Sequence, residues 1–226
     1  MRIYKNTTFI LQSILCFIFN PLFYFFIHLK VRGLENIENL DEPYIIASNH
    51  SSELDIIIIL TIFYKKLKNK PLFCVTREKN FYRDMGILKG NIYGGLFFKI
   101  FGGYEVYRGT GDYRKSLINH ISILKKGYNT CVFIEGKISK DGILSKAKGG
   151  ALFLSQETGV PIIPISINGL FNIGFRDFIL RKREARVTIS KPINASDHIS
   201  TYEPNNIYYY GEQSQIIMQI IKKSLW

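Results

Sequence analysis

The sequence predicts an α/β fold: a mixed, mostly parallel sheet flanked by helices, with an N-terminal membrane-associated helix or helical hairpin. Three observations predict it. Short apolar runs alternate with segments of helical length along residues 31–226. The runs "YIIA" (44–47) and "TCVFI" (130–134) are apolar at consecutive positions, as strands covered on both faces require. Ahead of them, residues 7–29 contain no Lys, Arg, Asp or Glu.

The chain has 226 residues, 46% of them hydrophobic, enough for one large domain with a short appendage. The predicted organisation is a membrane-associated segment at 1–30 and an α/β domain at 31–226. A formal net charge of +12 favours anionic partners. Part of that charge reflects a general richness in Ile, Lys, Asn and Tyr. No dense Lys/Arg block with interleaved aromatics occurs, so nucleic acid is not an expected partner. Cys16, Cys74 and Cys131 form no CxxC or Cys/His pair, which predicts reduced, buried thiols, no disulfide framework and no metal site.

The first element, "TTFILQSILCFIFNPLFYFFIHL" (7–29), lies between Lys5 and Lys30 and has the length of a membrane span. Asn20-Pro21 interrupts it, so one crossing and a bent pair of shorter helices are both compatible with the sequence. No A-x-A-like cleavage site follows, against a signal peptide. Residues 31–37 then read as a short strand or turn, and 43–48 as a buried strand. The stretch 55–69 has helical length and ends in lysines, which suit a helix C-terminus.

Residues 71–76 are another buried strand. The Gly- and aromatic-rich stretch 77–108 reads as a short helix, loops and a strand near "YEVYR". Residues 112–127 form a helix stopped by Lys-Lys-Gly. A strand at 129–136 leads into a polar loop. A helix at 149–159, a strand at 160–167, an alternating strand at 185–190 and a terminal helix at 211–226 complete the order.

In such folds ligands gather beyond strand C-termini. His50 and Glu135 both follow buried strands. His50 and Asp55 are five residues apart, about 140° on one helix, so they meet only if His50 lies in a turn before the helix and Asp55 in its first turn. Ser51 and Ser52 suit such a boundary. Asp55 would then fix the imidazole tautomer and leave the second nitrogen as an outward base. A capping cluster without chemistry is the alternative reading of the same spacing. His120 reads as structural, and His28 and His198 show no partner.

"NHSSELD" (49–55) resembles the His-x4-Asp box of the glycerolipid acyltransferases, the family that contains the 1-acylglycerol-3-phosphate acyltransferases. Three further blocks resemble that family in its order: "GYEVYR" (103–108), "FIEGKISKDGILSKAKGGA" (133–151) and "VPIIPISI" (160–167). The resemblance implies transfer of a fatty acyl group from an acyl-CoA or acyl carrier protein thioester to the hydroxyl of a lyso-glycerolipid. The first acceptor it implies is 1-acyl-sn-glycerol-3-phosphate, giving phosphatidic acid. Another lyso-lipid, such as a lyso-amino-acid lipid or lysophospholipid, and a non-catalytic lipid-binding protein are the alternatives.

In that scheme His50 is the base and Asp55 orients it. Arg108, Glu135, Gly136 and Lys137 form the acceptor site. Glu135 organises that site and takes no part in proton transfer. Backbone N–H groups near His50 or in the Glu135-Gly136 loop would serve the oxyanion, and Pro161 and Pro164 would shape the acyl wall. A covalent route through Ser48, Ser51 or Ser52 is a lesser alternative. No cofactor or metal is implied. The partners are membrane lipids and the thioester carrier, and the expected location is the cytoplasmic face of the inner membrane. The third block departs from the family pattern: Lys137-Ile138 stands where Thr-Arg is usual, and Ile134 where proline is frequent. Lys137 or Lys140 would have to supply the charge, and a lysine is not a guanidinium fork.

Overall fold

A computed structural model of the chain describes residues 3–41, 43–67, 70–76 and 99–226. The short helix expected within 77–108 falls mostly on residues outside these. Among the described residues the strands are β1 (Lys30–Arg32), β2 (Ile45–Ser48), β3 (Phe73–Thr76), β4 (Gly103–Glu105), β5 (Thr130–Phe133), β6 (Ile162–Asn168) and β7 (Arg186–Ile189). They form one sheet in the order β1-β7-β6-β2-β5-β3-β4. Every pairing is parallel except β6 with β7. The mixed, mostly parallel sheet expected from the sequence is the one observed.

The helices are α1 (Lys5–Phe26), α2 (Asp55–Phe63), α3 (Tyr113–Ser116), α4 (Ile118–Lys125), α5 (Gly150–Thr158), α6 (Phe175–Ile179), α7 (Ile207–Gln213) and α8 (Gln215–Ser224). Side-chain alternation along β2 divides the core. Ile46 packs with α1 and α2 through Phe23, Ile58, Ile59 and Phe63. Ile45 and Ala47 pack on the opposite face with α4, α5 and α8 through Leu124, Leu152 and Ile217. The sequence reading differs in detail. The 112–127 helix breaks at Leu117 into α3 and α4, and the 211–226 helix is the second of two, α7 and α8. α6 was not expected at all.

α1 runs unbroken through Pro21. It is long and apolar enough to cross a membrane by length and composition. One side is buried on the domain through Thr8, Gln12, Cys16 and Phe23. The other exposes Ile10, Ile14, Phe17, Ile18, Tyr24 and Phe25. Gln12 holds the helix in place. Its amide donates to the carbonyls of Leu72 (2.7 Å) and Phe101 (3.0 Å), and its oxygen accepts from the Leu72 N–H (2.9 Å). A buried primary amide here completes the hydrogen bonding of backbone that has no ladder partner.

Two proline and glycine positions explain the β6 region. Pro164 lies in an interior strand, not on an edge. Its carbonyl accepts from Ser190 N–H on the β7 side (2.9 Å), just past the last β6–β7 ladder pair, so the missing N–H costs a single bond at the margin of the ladder. Gly169 has φ +89°, and a Cβ there would fall 1.9 Å from the Glu184 carbonyl oxygen. Only glycine lets the chain leave β6 so close to the start of β7.

His120 sits wholly buried on α4, and its Nε2–H donates to the Cys74 carbonyl (3.4 Å). Burial lowers its pKa from 6.5 to about 4, with the Cys74 and Tyr104 carbonyls offsetting part of the effect.

Two predictions come from this packing. Gln12→Leu leaves buried backbone groups unpaired and is expected to cost about 3 kcal/mol, read as a lower denaturation midpoint. The folded protein resists protonation of His120 while the unfolded chain accepts it near pH 6.5, so stability falls as pH drops from 6.5 towards 4. Urea titrations are expected to show about 2 kcal/mol less stability at pH 5 than at pH 7, a difference that shrinks in His120→Gln.

Candidate active site

The parallel register places the site. Ser48 on β2 pairs with Phe133 on β5, so two residues beyond the sheet His50 lies opposite Glu135. On the other side Asn49 extends the contact with β6. Its Nδ2 donates to the Ile167 carbonyl and its Oδ1 accepts the Ile167 N–H, both at 2.8 Å. The side-chain amide imitates a further ladder step, so the turn carrying His50 begins from a fixed base.

Asp55 opens α2 and is fully buried. One carboxylate oxygen, Oδ2, receives Ser51 N–H (2.7 Å), Ser52 N–H (2.9 Å) and His50 Nδ1–H (3.0 Å). The capping logic is the reverse of the sequence expectation. The aspartate gathers the turn before the helix, while Ser52 Oγ serves only Leu54 N–H (3.2 Å). Nδ1 must carry the proton, since the carboxylate only accepts, so Nε2 presents a lone pair. Phe133 stacks flat beneath the imidazole, with centroids 3.8 Å apart and planes 10° from parallel. Among the described residues nothing hydrogen-bonds Nε2. Ser48 and Ser51 hydroxyls are buried without partners and do not touch the ring, which leaves a covalent serine route without its general base.

Glu135 is 2% exposed and acts as a clamp. Its Oε1 accepts His50 N–H (3.1 Å), and its Oε2 accepts both the N–H and the hydroxyl of Ser145 (2.8 Å each). The His50 carbonyl in turn accepts Ser139 N–H (2.8 Å). Both sides of the His50 peptide are therefore tied to the loop that follows β5. The carboxylate is turned into this network, not towards an acceptor phosphate.

Four of the backbone donors expected to serve an oxyanion are already engaged. The N–H groups of His50, Ser51 and Ser52 are engaged by Glu135 and Asp55, and that of Gly136 by the Phe133 carbonyl (2.9 Å). Those donors supply the hydrogen bonds that the buried carboxylates lose from water. Gly136 has φ +68°, and a Cβ there would lie 2.9 Å from Lys148 Cδ and 3.0 Å from its Nζ. The Lys148 side chain thus lies along the face of Gly136, beside the clamp. Lys137 and Lys140 are exposed on the same loop.

Arg108 is exposed just beyond β4, three strands from β2 in the sheet order and at the same end. At about 4.8 Å per strand that is about 14 Å from the His50 column. The structure therefore brings His50, Asp55, Glu135 and Gly136 into direct contact and sets Arg108 at the far rim. Sequence reasoning missed Asn49, Ser145 and Lys148. Lys148 stood inside the quoted third block, and Asn49 abuts His50, but neither shows its partner in the sequence. Ser145 stood in that same block and likewise shows no partner in the sequence. Among the described residues no three His, Cys, Asp or Glu side chains gather as metal ligands.

Comparison with known proteins agrees with this geometry. The chain is 31% identical over 177 residues to the chloroplastic 1-acyl-sn-glycerol-3-phosphate acyltransferase BAT2 of Brassica napus, covering 76% of this chain and 47% of that protein. It is 31% identical over 176 residues to the chloroplastic 1-acyl-sn-glycerol-3-phosphate acyltransferase LPAT1 of Arabidopsis thaliana, covering 76% and 46%. The chain spans about half the length of these curated relatives. Its fold matches the crystal structure of the 1-acyl-sn-glycerophosphate acyltransferase PlsC from Thermotoga maritima, with TM-score 0.61 and 21% identity over 95% of this chain and 79% of that one. The model of the acyltransferase family matches residues 28–168, a span that runs from before β1 to the end of β6 and holds His50, Asp55, Arg108 and Glu135. The chain belongs to the acyltransferase family.

Proposed function

We propose that this protein transfers a fatty acyl group from a thioester to the free hydroxyl of a lyso-glycerolipid. The observation that carries the reading is the His50–Asp55 pair: a buried carboxylate fixes Nδ1–H and leaves Nε2 as an outward base. The acceptor hydroxyl attacks the thioester carbonyl carbon while Nε2 takes its proton. The tetrahedral intermediate collapses, the C–S bond breaks, and the imidazolium returns the proton to the departing sulfur. An ester and a free thiol result. Asp55 stabilises the imidazolium between the two transfers.

The basic loop after β5 supports a phosphate-bearing acceptor, with 1-acyl-sn-glycerol-3-phosphate the preferred one. Lys148 beside Gly136, with Lys137 and Lys140, supplies positive charge near the clamp, and Arg108 supplies it at the rim. One observation favours a second acceptor class. Lys137 and Lys148 are point charges and hold a phosphomonoester less selectively than a fork, which suits a lyso-lipid with a larger head. The donor is acyl-CoA or acyl carrier protein, entering as a substrate. The outward apolar face of α1 supports association with a membrane, and the cytoplasmic face of the inner membrane is the proposed location.

Purified protein assayed against a panel of lyso-lipids with both thioester carriers tests the reading. His50→Ala is expected to lower kcat about 10³-fold with the lipid KM little changed, and Asp55→Asn at least about 10²-fold. Turnover unaffected by His50→Ala would refute the assignment. Lys148→Ala is expected to raise KM about 10-fold for a phosphomonoester lyso-lipid while leaving a zwitterionic one nearly unchanged.

A further inference from the structure

We propose that residues 175–183 form a second lipid contact, separate from the outward face of α1, that docks on a bilayer carrying anionic headgroups. Strand directions place this segment at the reacting end of the sheet. β6 runs parallel to β2, so the chain leaves β6 on the side where His50 leaves β2. β7 is antiparallel to β6 and β1 parallel to β7, so the chain that follows α1 enters the sheet from that same side.

The two elements touch there. The rings of Phe26 and Phe178 stack with centroids 5.0 Å apart. Arg181 Nε donates to the Phe25 carbonyl (3.1 Å), and its guanidinium lies 4.4 Å from the Phe25 ring centroid.

The segment "FRDFILRKR" has the wrong surface for water. None of the five residues of α6 is fully buried. Phe175 is 82% exposed, and Ile179 and Leu180 are 45% and 50% exposed. Three large apolar side chains so close in sequence and so exposed form an apolar tip on this segment. Immersion in acyl chains would relieve that exposure.

Charge selects the kind of surface. Arg176, Arg181 and Lys182 are exposed around the apolar residues. The two carboxylates nearby are already paired, Asp177 with Arg183 (3.4 Å) and Glu184 with Lys30 and Arg186. A positive excess therefore surrounds an apolar tip, the make-up that binds anionic interfaces. The Phe171 ring also packs over Gly142, where a Cβ would come within 2.9 Å of it. The chain leading into the segment is thus packed against the loop held by Glu135. The inference rests on the reading of a lipid acceptor for its purpose, though not for its test.

Partition of the full chain onto vesicles of phosphatidylcholine, alone or with phosphatidylglycerol, is the experiment. The double variant Arg176→Gln/Lys182→Gln is expected to bind phosphatidylglycerol vesicles about 30-fold more weakly and neutral vesicles as the parent does. Phe175→Trp is expected to show fluorescence quenched by brominated lipid when bound. Equal partition of parent and double variant on anionic vesicles, or an unquenched tryptophan in bound protein, would overturn the contact. Acyl transfer from detergent micelles separates the two readings. An inactive parent there would overturn the proposed function and leave the contact standing. Active variants with unaltered vesicle binding would do the reverse.

Discussion

The pairing of Ser48 with Phe133 across β2 and β5 decides which residues face each other two positions later, and the chemistry is built on that meeting. A parallel ladder keeps both chains leaving the sheet in the same direction. His50 and Glu135 therefore emerge side by side, and Phe133, the last residue of β5, supplies the floor under the imidazole. Slipping the register by one residue would send each of these side chains to the other face of the sheet. Asn49 guards against that slip from the β6 side, because its amide meets both polar groups of Ile167.

Two buried carboxylates share the work around His50 without competing. Asp55 handles the ring and Glu135 the peptide. Each accepts N–H donors fixed by the fold, which replace the water that a buried carboxylate loses. This division explains why backbone donors that looked available from the sequence are occupied. The cations of the third block then act in a field already balanced on the inner side.

The layered architecture was legible because consecutive apolar residues such as Ile45, Ile46 and Ala47 can only be covered from both sides. The His50–Asp55 contact was legible too, since five residues allow a meeting only across a turn into a helix. What could not be read were contacts between residues apart in the chain: the bonds of Gln12 with Leu72 and of Asn49 with Ile167, and the packing of Lys148 over Gly136. Each depends on register or loop path, which local pattern does not specify. α6 escaped notice for a related reason. Of its apolar residues only Phe178 packs inward, so the five-residue helix lacks the helical periodicity that burial imposes.

The clamp made by Glu135 has a consequence for how such a protein can diversify. The Ser139 N–H holds the His50 carbonyl and Ser145 holds Glu135, so in the proposed reaction a proline at 139 or loss of the Ser145 hydroxyl would disturb the setting of the histidine. Lys137, Lys140 and Lys146 point into the open and bear none of that burden. If the proposed reaction holds, headgroup preference can be retuned at these exposed lysines and at Lys148 while the supports of the histidine stand still.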